Sequence, residues 1–182
     1  MENEFLTEPE FCGLPVLAFE SIETHFPPQD FRAFVALSST FLNRARSRLY
    51  EATKEKGYDF ISYISSRAFV WHTVEIGENC FILEDNVLQH GVKIGNNTTL
   101  WSGNHIGHRT SIGSHAFITS HAVISGFCTI GDYCFIGVNS CFSDEVSVAK
   151  DSVIGMGGVV VKSIRPQLGW KTEPVPTGND LP

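Results

Sequence analysis

The stretch from Asn104 to Ser140 reads NHIGHRTSIGSHAFITSHAVISGFCTIGDYCFIGVNS, and its apolar residues recur every six positions. Continued in steps of six in both directions, the series of isoleucines in this stretch runs from Ile64 to Val160, and all 17 of its positions are apolar. An α-helix with 3.6 residues per turn cannot keep a period of six on one face, whereas short strands joined by tight turns can. We call these 17 positions the hexad series, and it predicts a stack of short strands with these side chains in the core.

The residues that flank each member of the hexad series support this interpretation. The residue two positions earlier is usually small and shares the inward direction of the series, because side chains alternate along a strand. Cys128 and Cys134 occupy this position, so we expect both thiols to be core residues. The residue just after the series position is often glycine, which serves corners that need either a positive φ or a close approach of the backbone.

Composition indicates a globular protein and argues against several kinds of partner. The chain has 182 residues, 42% of them hydrophobic, and a net charge of −7, which disfavours nucleic acids and anionic membrane surfaces. No apolar run approaches the roughly 20 residues that span a bilayer, and the acidic start MENEFLTEPE does not resemble a signal peptide. The five cysteines form no C-x-x-C pair, so we expect reduced thiols and a cytoplasmic location.

The first third of the chain has a different pattern. Residues 14–19 (LPVLAF), 31–39 (FRAFVALSS) and 58–65 (YDFISYIS) are predicted to be buried strands. With a helix between the last two, this order favours part of a small α/β unit. We therefore expect a small α/β domain at residues 1–62, a parallel β-helix at 63–163 and an extended tail at 164–182, which make a mainly β protein.

The helix between these strands has its own signals. Its expected apolar face consists of four residues, with Ser39 or Thr40 as N-cap and Gly57 at its end. These four residues are Leu42, Ala45, Leu49 and Ala52.

The hexad series resembles the hexapeptide-repeat proteins, whose fold is a left-handed parallel β-helix with three hexads per coil. Its left-handedness is taken from the resemblance, since strand crossovers are otherwise right-handed. Three hexads per coil imply that residues 18 apart are neighbours on one face. His72, His90 and His108 then fall in one column.

The segment 106–113 (IGHRTSIG) resembles the sugar O- and N-acyltransferases of the sialic acid O-acetyltransferase and bacillosamine or perosamine N-acetyltransferase type. Residues 120–140 (SHAVISGFCTIGDYCFIGVNS) and 151–163 (DSVIGMGGVVVKS) resemble the same family. The resemblance implies transfer of an acetyl group from acetyl-CoA to a hydroxyl or amino group of a nucleotide-linked deoxy or amino sugar, for a bacterial surface glycan. It also implies a homotrimer with active sites between chains.

The same resemblance implies that His108 is the catalytic base, and an imidazole is suited to general base chemistry near neutral pH. The implied acetyl-CoA contacts are Gly126, Val138 and Met156, with Phe117 where the family usually has a histidine. Lys162 is added as a partner for a CoA phosphate because of its charge.

Further expectations concern the acceptor and the backbone of the site. His90, Trp101 and His121 are candidates for acceptor contacts. Gly126 is also a candidate for the backbone donor to the developing oxyanion.

Two features depart from the family. An acidic residue usually follows the catalytic histidine, but Arg109 stands there, and a cation disfavours protonation of a nearby imidazole. Three alternatives stay open: an acidic residue from elsewhere in the protein lies beside His108, His90 orients the ring, or the attacking group of the acceptor needs a weaker base. The start of the nucleotide-sugar-binding domain, with its glycine-rich loop, has no counterpart before residue 12.

Two other functions stay open. One is a non-catalytic scaffold subunit, with bulky residues such as Phe127 and Tyr133 at its interfaces. The other is a zinc enzyme like the γ-class carbonic anhydrases, but the third ligand position after His72 and His108 is Gly113. We therefore expect no metal. Four further histidines are expected to be solvated or inter-subunit packing residues: His25, His72, His105 and His115.

Overall fold

The computed structural model describes residues 8–165, so most of the predicted tail at 164–182 lies outside the described residues. From residue 63 onward the chain forms 17 strands of two residues each. They are β5 Tyr63–Ile64, β6 Phe69–Val70, β7 Glu75–Ile76, β8 Phe81–Ile82, β9 Val87–Leu88, β10 Lys93–Ile94, β11 Thr99–Leu100, β12 His105–Ile106, β13 Ser111–Ile112, β14 Phe117–Ile118, β15 Val123–Ile124, β16 Thr129–Ile130, β17 Phe135–Ile136, β18 Cys141–Phe142, β19 Ser147–Val148, β20 Val153–Ile154 and β21 Val159–Val160.

These strands form three parallel sheets, each made of every third strand. Sheet 1 contains β7, β10, β13, β16 and β19, sheet 2 runs from β5 to β20, and sheet 3 runs from β6 to β21. Neighbouring strands pair with a shift of 18 residues, as in the pairs His105–Val87 and His105–Val123. The predicted left-handed parallel β-helix with three hexads per coil is confirmed.

The turns between the sheets stack into three corners. Corner A joins sheet 1 to sheet 2 and includes residues 95–98 and 113–116. Corner B joins sheet 2 to sheet 3 and includes residues 101–104 and 119–122. Corner C joins sheet 3 to sheet 1 and includes residues 107–110.

The hexad series forms the core of the helix. Every member from Ile82 to Val160 is buried, and Cys128 and Cys134 are each 1% exposed, as predicted. Burying one such aliphatic side chain stabilises the fold by about 1.5–3 kcal/mol. Ile64 is 42% exposed because it lies at the open end of the stack, where a coil covers it on one side only.

Most glycines that directly follow members of the hexad series are required by close approach of the next coil, and none of them has a positive φ. A Cβ atom on Gly107 would lie 2.5 Å from the carbonyl carbon of Ser125 in the next coil. The positive φ angles occur instead three residues after members of the hexad series, for example at Arg109, His121 and Phe127. Non-glycine side chains at these strained positions project from the corners.

The first part of the described chain has little regular structure. Strands β1 (Glu10–Phe11) and β2 (Leu14–Pro15) form an antiparallel hairpin, and a 3-10 helix follows at Phe19–Thr24. The prediction of a buried strand at 14–19 is wrong, because the hairpin lies on the surface and Leu14 is 68% exposed.

A strand–helix–strand unit follows in the predicted order, but the prediction of buried strands at 31–39 and 58–65 is wrong, because the strands of the unit have two residues each and most residues of both segments are exposed or half-buried. Strands β3 (Arg32–Ala33) and β4 (Asp59–Phe60) pair in parallel on either side of helix α1 (Arg44–Glu55). Gly57 follows the helix end with a φ of +86°. The N-cap is Asn43 in a left-handed conformation, so the prediction of Ser39 or Thr40 is wrong.

The predicted apolar face of α1 is also wrong. The buried residues of the helix are Arg46, Ser47, Tyr50 and Thr53. Arg46 and Tyr50 face the β-helix and bond to polar groups of corner A and to Thr99 of sheet 2. Nε of Arg46 donates to Oδ1 of Asn97, and Tyr50 and Lys54 both donate to Glu78. Polar complementarity with the β-helix therefore decides which face of α1 is buried.

No helix between residues 8 and 165 has the length and apolar character needed to cross a bilayer.

Candidate active site

His108 lies at corner C, two residues after the buried Ile106, and its side chain is exposed. Its ring lies against Gly126 of the next coil, where a Cβ atom would be 2.7 Å from Cε1 and 2.8 Å from Nε2. Only glycine at this position leaves room for the ring. The ring of Phe127 meets the imidazole edge to face at a centroid distance of 4.9 Å.

The imidazole contacts a glutamine of the coil below. Oε1 of Gln89 accepts the backbone N–H of His108 at 2.9 Å and lies 3.4 Å from Nδ1 of its ring. His90, which was a candidate for orienting this ring, contacts Oγ1 of Thr73 through Nδ1 at 2.9 Å. The His108 ring thus contacts an amide oxygen, whereas the ring of His90 contacts a threonine hydroxyl.

The other predicted residues of corner C lie in the same column as His108. The backbone N–H of Gly126 donates to Oδ1 of Asp144 at 2.8 Å, so the expectation of a free backbone donor at Gly126 is wrong. Lys162 lies two coils beyond Gly126 and is exposed. The guanidinium of Arg109 lies 5.6 Å from the centre of the Phe127 ring.

Four predicted residues lie at corner B, on the opposite edge of sheet 3 from His108. Val138 and Met156 are stacked one coil apart and are 39% and 83% exposed. The ring of His121 lies against Gly103, where a Cβ atom would be 2.5 Å from Nδ1. Trp101 is 45% exposed. Within one chain, these four side chains are separated from His108 by the width of the sheet.

Phe117 faces outward from sheet 2 and is 7% exposed. Its ring stacks on that of Phe135 at 5.8 Å and lies 6.4 Å from that of Trp101. Phe117 therefore lies on a different face from His108.

Phe117 and Trp101 line a cavity of about 220 Å³ between sheet 2 and the segment before α1. Its lining residues are Phe34, Ala36, Leu37, Ser38, Arg46, Phe81, Thr99, Trp101 and Phe117. Burial lowers the pKa of Arg46 to about 10, and its hydrogen bonds go to neutral acceptors. The cavity thus combines aromatic rings with one cation.

The outward surface of sheet 3, which separates corners B and C, is mostly apolar, with His105 as its one imidazole. It carries Phe69, Val123 and Val159, which are 53%, 45% and 69% exposed. The outward residues of sheet 1 are charged or hydroxyl-bearing, as at Lys93 and Thr129. Exposed apolar side chains clustered on one face in this way are typical of an interaction site.

Among residues 8–165, no group of three or more histidine, cysteine or acidic side chains is placed to hold a metal ion. His115 packs within its own chain, against Tyr50 of α1 and stacked on Tyr133 at 4.6 Å, so the expectation of a solvated or inter-subunit residue is wrong for it.

The sequence does not predict the contact between Gln89 and His108. The 18-residue coil places residue 89 next to the His108 column, but the direction of its side chain is visible only in the structure.

The comparisons with known proteins agree on the fold. The bacterial transferase hexapeptide family (six repeats) matches residues 73–108 and 91–126. A comparison with curated proteins gives no match.

Several solved structures are similar over most of the chain. The acetyltransferase domain of PglB from Neisseria gonorrhoeae is 24% identical, with a TM-score of 0.79, over 88% of this chain and 77% of that one. PerB from Caulobacter crescentus, solved with CoA and GDP-perosamine, is 24% identical, with a TM-score of 0.79, over 86% and 74%. WeeI from Acinetobacter baumannii is 23% identical, with a TM-score of 0.76, over 87% and 76%.

Residues 73–126 therefore carry the hexapeptide repeat of bacterial transferases, and the chain has the fold of these three structures.

Proposed function

We propose that the protein is an acetyl-CoA-dependent sugar O- or N-acetyltransferase acting in bacterial surface-glycan biosynthesis. The observation that carries this proposal is the exposed imidazole of His108, with Nδ1 facing an amide oxygen and no side chain on Gly126 beside it. The structure of PerB with CoA and GDP-perosamine supports the choice of reaction. The acceptor is a nucleotide-linked deoxy or amino sugar.

In this reaction Nε2 of His108 accepts the proton of the attacking hydroxyl or amino group. The new O–C or N–C bond forms at the thioester carbonyl, the C–S bond breaks, and the proton passes from Nε2 to the leaving sulfur. Transfer is direct, with no acylated side chain. An acylated protein found after incubation with acetyl-CoA alone would contradict this part.

The residues present fit a CoA molecule that lies along the β-helix. Val138 and Met156 offer an exposed apolar strip for the pantetheine arm, and the bare backbone of Gly126 leaves space beside the base. Lys162 supplies a cation for a CoA phosphate. We propose these four as the acetyl-CoA contacts, with Phe117 lining the neighbouring cavity.

We propose that the cavity beside Trp101 receives the acceptor. Sugar rings pack well on aromatic side chains, and the hydroxyl groups of Ser38 and Thr99 offer hydrogen bonds. Arg46 gives the cavity a positive charge for the phosphates of a nucleotide-linked sugar. The α/β unit within residues 1–62 would then act as a partial acceptor domain, with His90 and His121 as further contacts.

A homotrimer would assemble these parts into one site. Sheet 3 of each chain carries exposed apolar side chains, and corners B and C lie along its two edges. Burying sheet 3 between chains would place the corner B residues of one subunit beside His108 of its neighbour. We propose this arrangement for the trimer. We also propose a cytoplasmic location, because all five cysteines are unpaired.

The proposal is tested by incubating the purified protein with acetyl-CoA and a set of amino-sugar and deoxy-sugar nucleotides. Mass spectrometry should detect an acceptor heavier by one acetyl group. A scaffold subunit would neither bind acetyl-CoA nor modify any acceptor. A zinc enzyme would retain stoichiometric zinc in a metal analysis of the same preparation.

A further inference from the structure

We propose that Gln89 is the positioning residue of His108, holding its ring with a hydrogen on Nδ1 and the lone pair on Nε2. The consequence for catalysis rests on the proposed function, whereas the orientation of the ring does not.

The orientation of the Gln89 amide follows from a backbone donor. The main-chain N–H of His108 can only donate, so the atom 2.9 Å away must be the carbonyl oxygen of Gln89 and not its amide nitrogen. The same oxygen lies 3.4 Å from Nδ1 of His108. An oxygen can only accept, so Nδ1 must carry the hydrogen when the two atoms interact, and Nε2 is left as the base.

Gln89 is well placed to hold this position. It is half-buried and directly follows β9. Its own N–H donates to the carbonyl of Ile106 at 3.1 Å, and its carbonyl accepts from Val92 at 3.3 Å. Because the N–H and the carbonyl of Gln89 both form hydrogen bonds, the backbone that carries the side chain is held in place.

The charges around the site explain why a neutral partner suffices. Arg109 adjoins His108, and His90 lies in the coil below. Oδ1 of Asp144 accepts a hydrogen bond from the backbone N–H of Gly126, and Glu145 follows Asp144 at the same corner. Among residues 8–165, the side chain that bonds to His108 is the amide of Gln89 and not a carboxylate. An amide oxygen selects the tautomer with hydrogen on Nδ1 without bringing a negative charge to the ring.

Two substitutions separate these effects. Gln89→Met keeps the length of the side chain and removes the acceptor. Gln89→Glu keeps an oxygen for the backbone N–H and adds a negative charge. Gln29→Glu makes the same chemical change at an exposed site in the N-terminal unit and serves as the matched control.

The first measurement is NMR of the ring nitrogens of His108 in the full chain, assigned with His108→Asn. Wild type should show the tautomer with hydrogen on Nδ1, and Gln89→Met should lose this preference. Gln89→Glu should raise the midpoint of the His108 titration by about one pH unit or more, and Gln29→Glu should not. An unchanged tautomer in Gln89→Met, or an unchanged midpoint in Gln89→Glu, would overturn the proposal.

The second measurement is turnover with acetyl-CoA and the identified acceptor. Gln89→Met should lower kcat about tenfold or more with little change in KM. Gln89→Glu should keep more activity than Gln89→Met and should move the acid limb of the pH profile to higher pH. If the NMR changes occur and turnover does not change, the contact stands and the catalytic role of His108 fails. This result separates the two proposals.

Discussion

Nε of Arg46 donates a 2.6 Å hydrogen bond to Oδ1 of Asn97, and this contact joins helix α1 to corner A of the β-helix. Arg46 also donates to Oγ1 of Thr99 and to the carbonyl of Asn79, each at 2.8 Å. The side chain is 1% exposed. A buried cation thus replaces the apolar contact that usually holds a helix on a sheet.

Arg46→Met should destabilise the protein by about 3 kcal/mol, because it leaves several buried acceptors without donors. The free energy of unfolding in urea measures this loss. Arg48→Met, on the exposed side of the same helix, is the control and should change stability by less than about 1 kcal/mol. Equal effects of the two substitutions would show that Arg46 does not hold the helix.

His115 should make this contact sensitive to pH. Oδ1 of Asn97 accepts from both Arg46 and Asn79, so Nδ2 of Asn97 is the atom 2.9 Å from Nδ1 of His115. An amide nitrogen can only donate, so Nδ1 must be unprotonated. Burial lowers the pKa of His115 below 6.5, and the nearby carboxylates of Glu51 and Asp132 oppose this shift.

Because the folded-state pKa of His115 lies below the unfolded value, the unfolded chain binds the proton more readily. This contribution to stability is present above about pH 6.5 and is lost as the pH falls from there through the folded pKa. Unfolding in urea at pH 7.5 and pH 5.5 measures it. His115→Phe should reduce the difference between the two pH values, whereas His72→Phe, at an exposed position, should leave it unchanged.

The β-helix could be predicted almost completely because each coil repeats the same local requirement. An apolar residue every six positions suffices to place the strands from Ile82 to Val160, and pairing 18 residues apart follows from three hexads per coil. The buried face of α1 could not be predicted in this way. It is decided by Asn97 and Thr99, which lie about fifty residues further along the chain, and a local pattern that includes Leu49 points to a different face.

The candidate site could be predicted only in part. The frame around His108 resembles a family motif, and the coil period places Gly126 directly beside it. The contact with Gln89 was not predictable, because it depends on a side-chain direction. The position of Phe117 under the N-terminal segment depends on how residues 34–38 cross sheet 2, and no sequence pattern reports this.

Val123→Asp should dissociate the proposed trimer and abolish acetyl transfer. Val123 lies in the apolar outward surface of sheet 3 and is 45% exposed, so a carboxylate there would be buried without a partner between chains. Light scattering coupled to gel filtration measures the mass. Thr129→Asp places the same charge on the exposed surface of sheet 1 and should leave mass and activity unchanged. A Val123→Asp protein with wild-type mass would place the interface elsewhere.

The most direct test of the account is the turnover of His108→Asn with acetyl-CoA and the identified acceptor. His108 lies at a corner outside the core, so the variant should fold and bind acetyl-CoA with near-normal affinity. Its kcat should fall by roughly 10²–10⁴-fold, because the attacking group loses its base. His72→Asn, at an exposed position in the same column two coils away, should keep wild-type turnover. Near-wild-type turnover in His108→Asn would contradict the account and move the base to another residue, with His121 the next candidate.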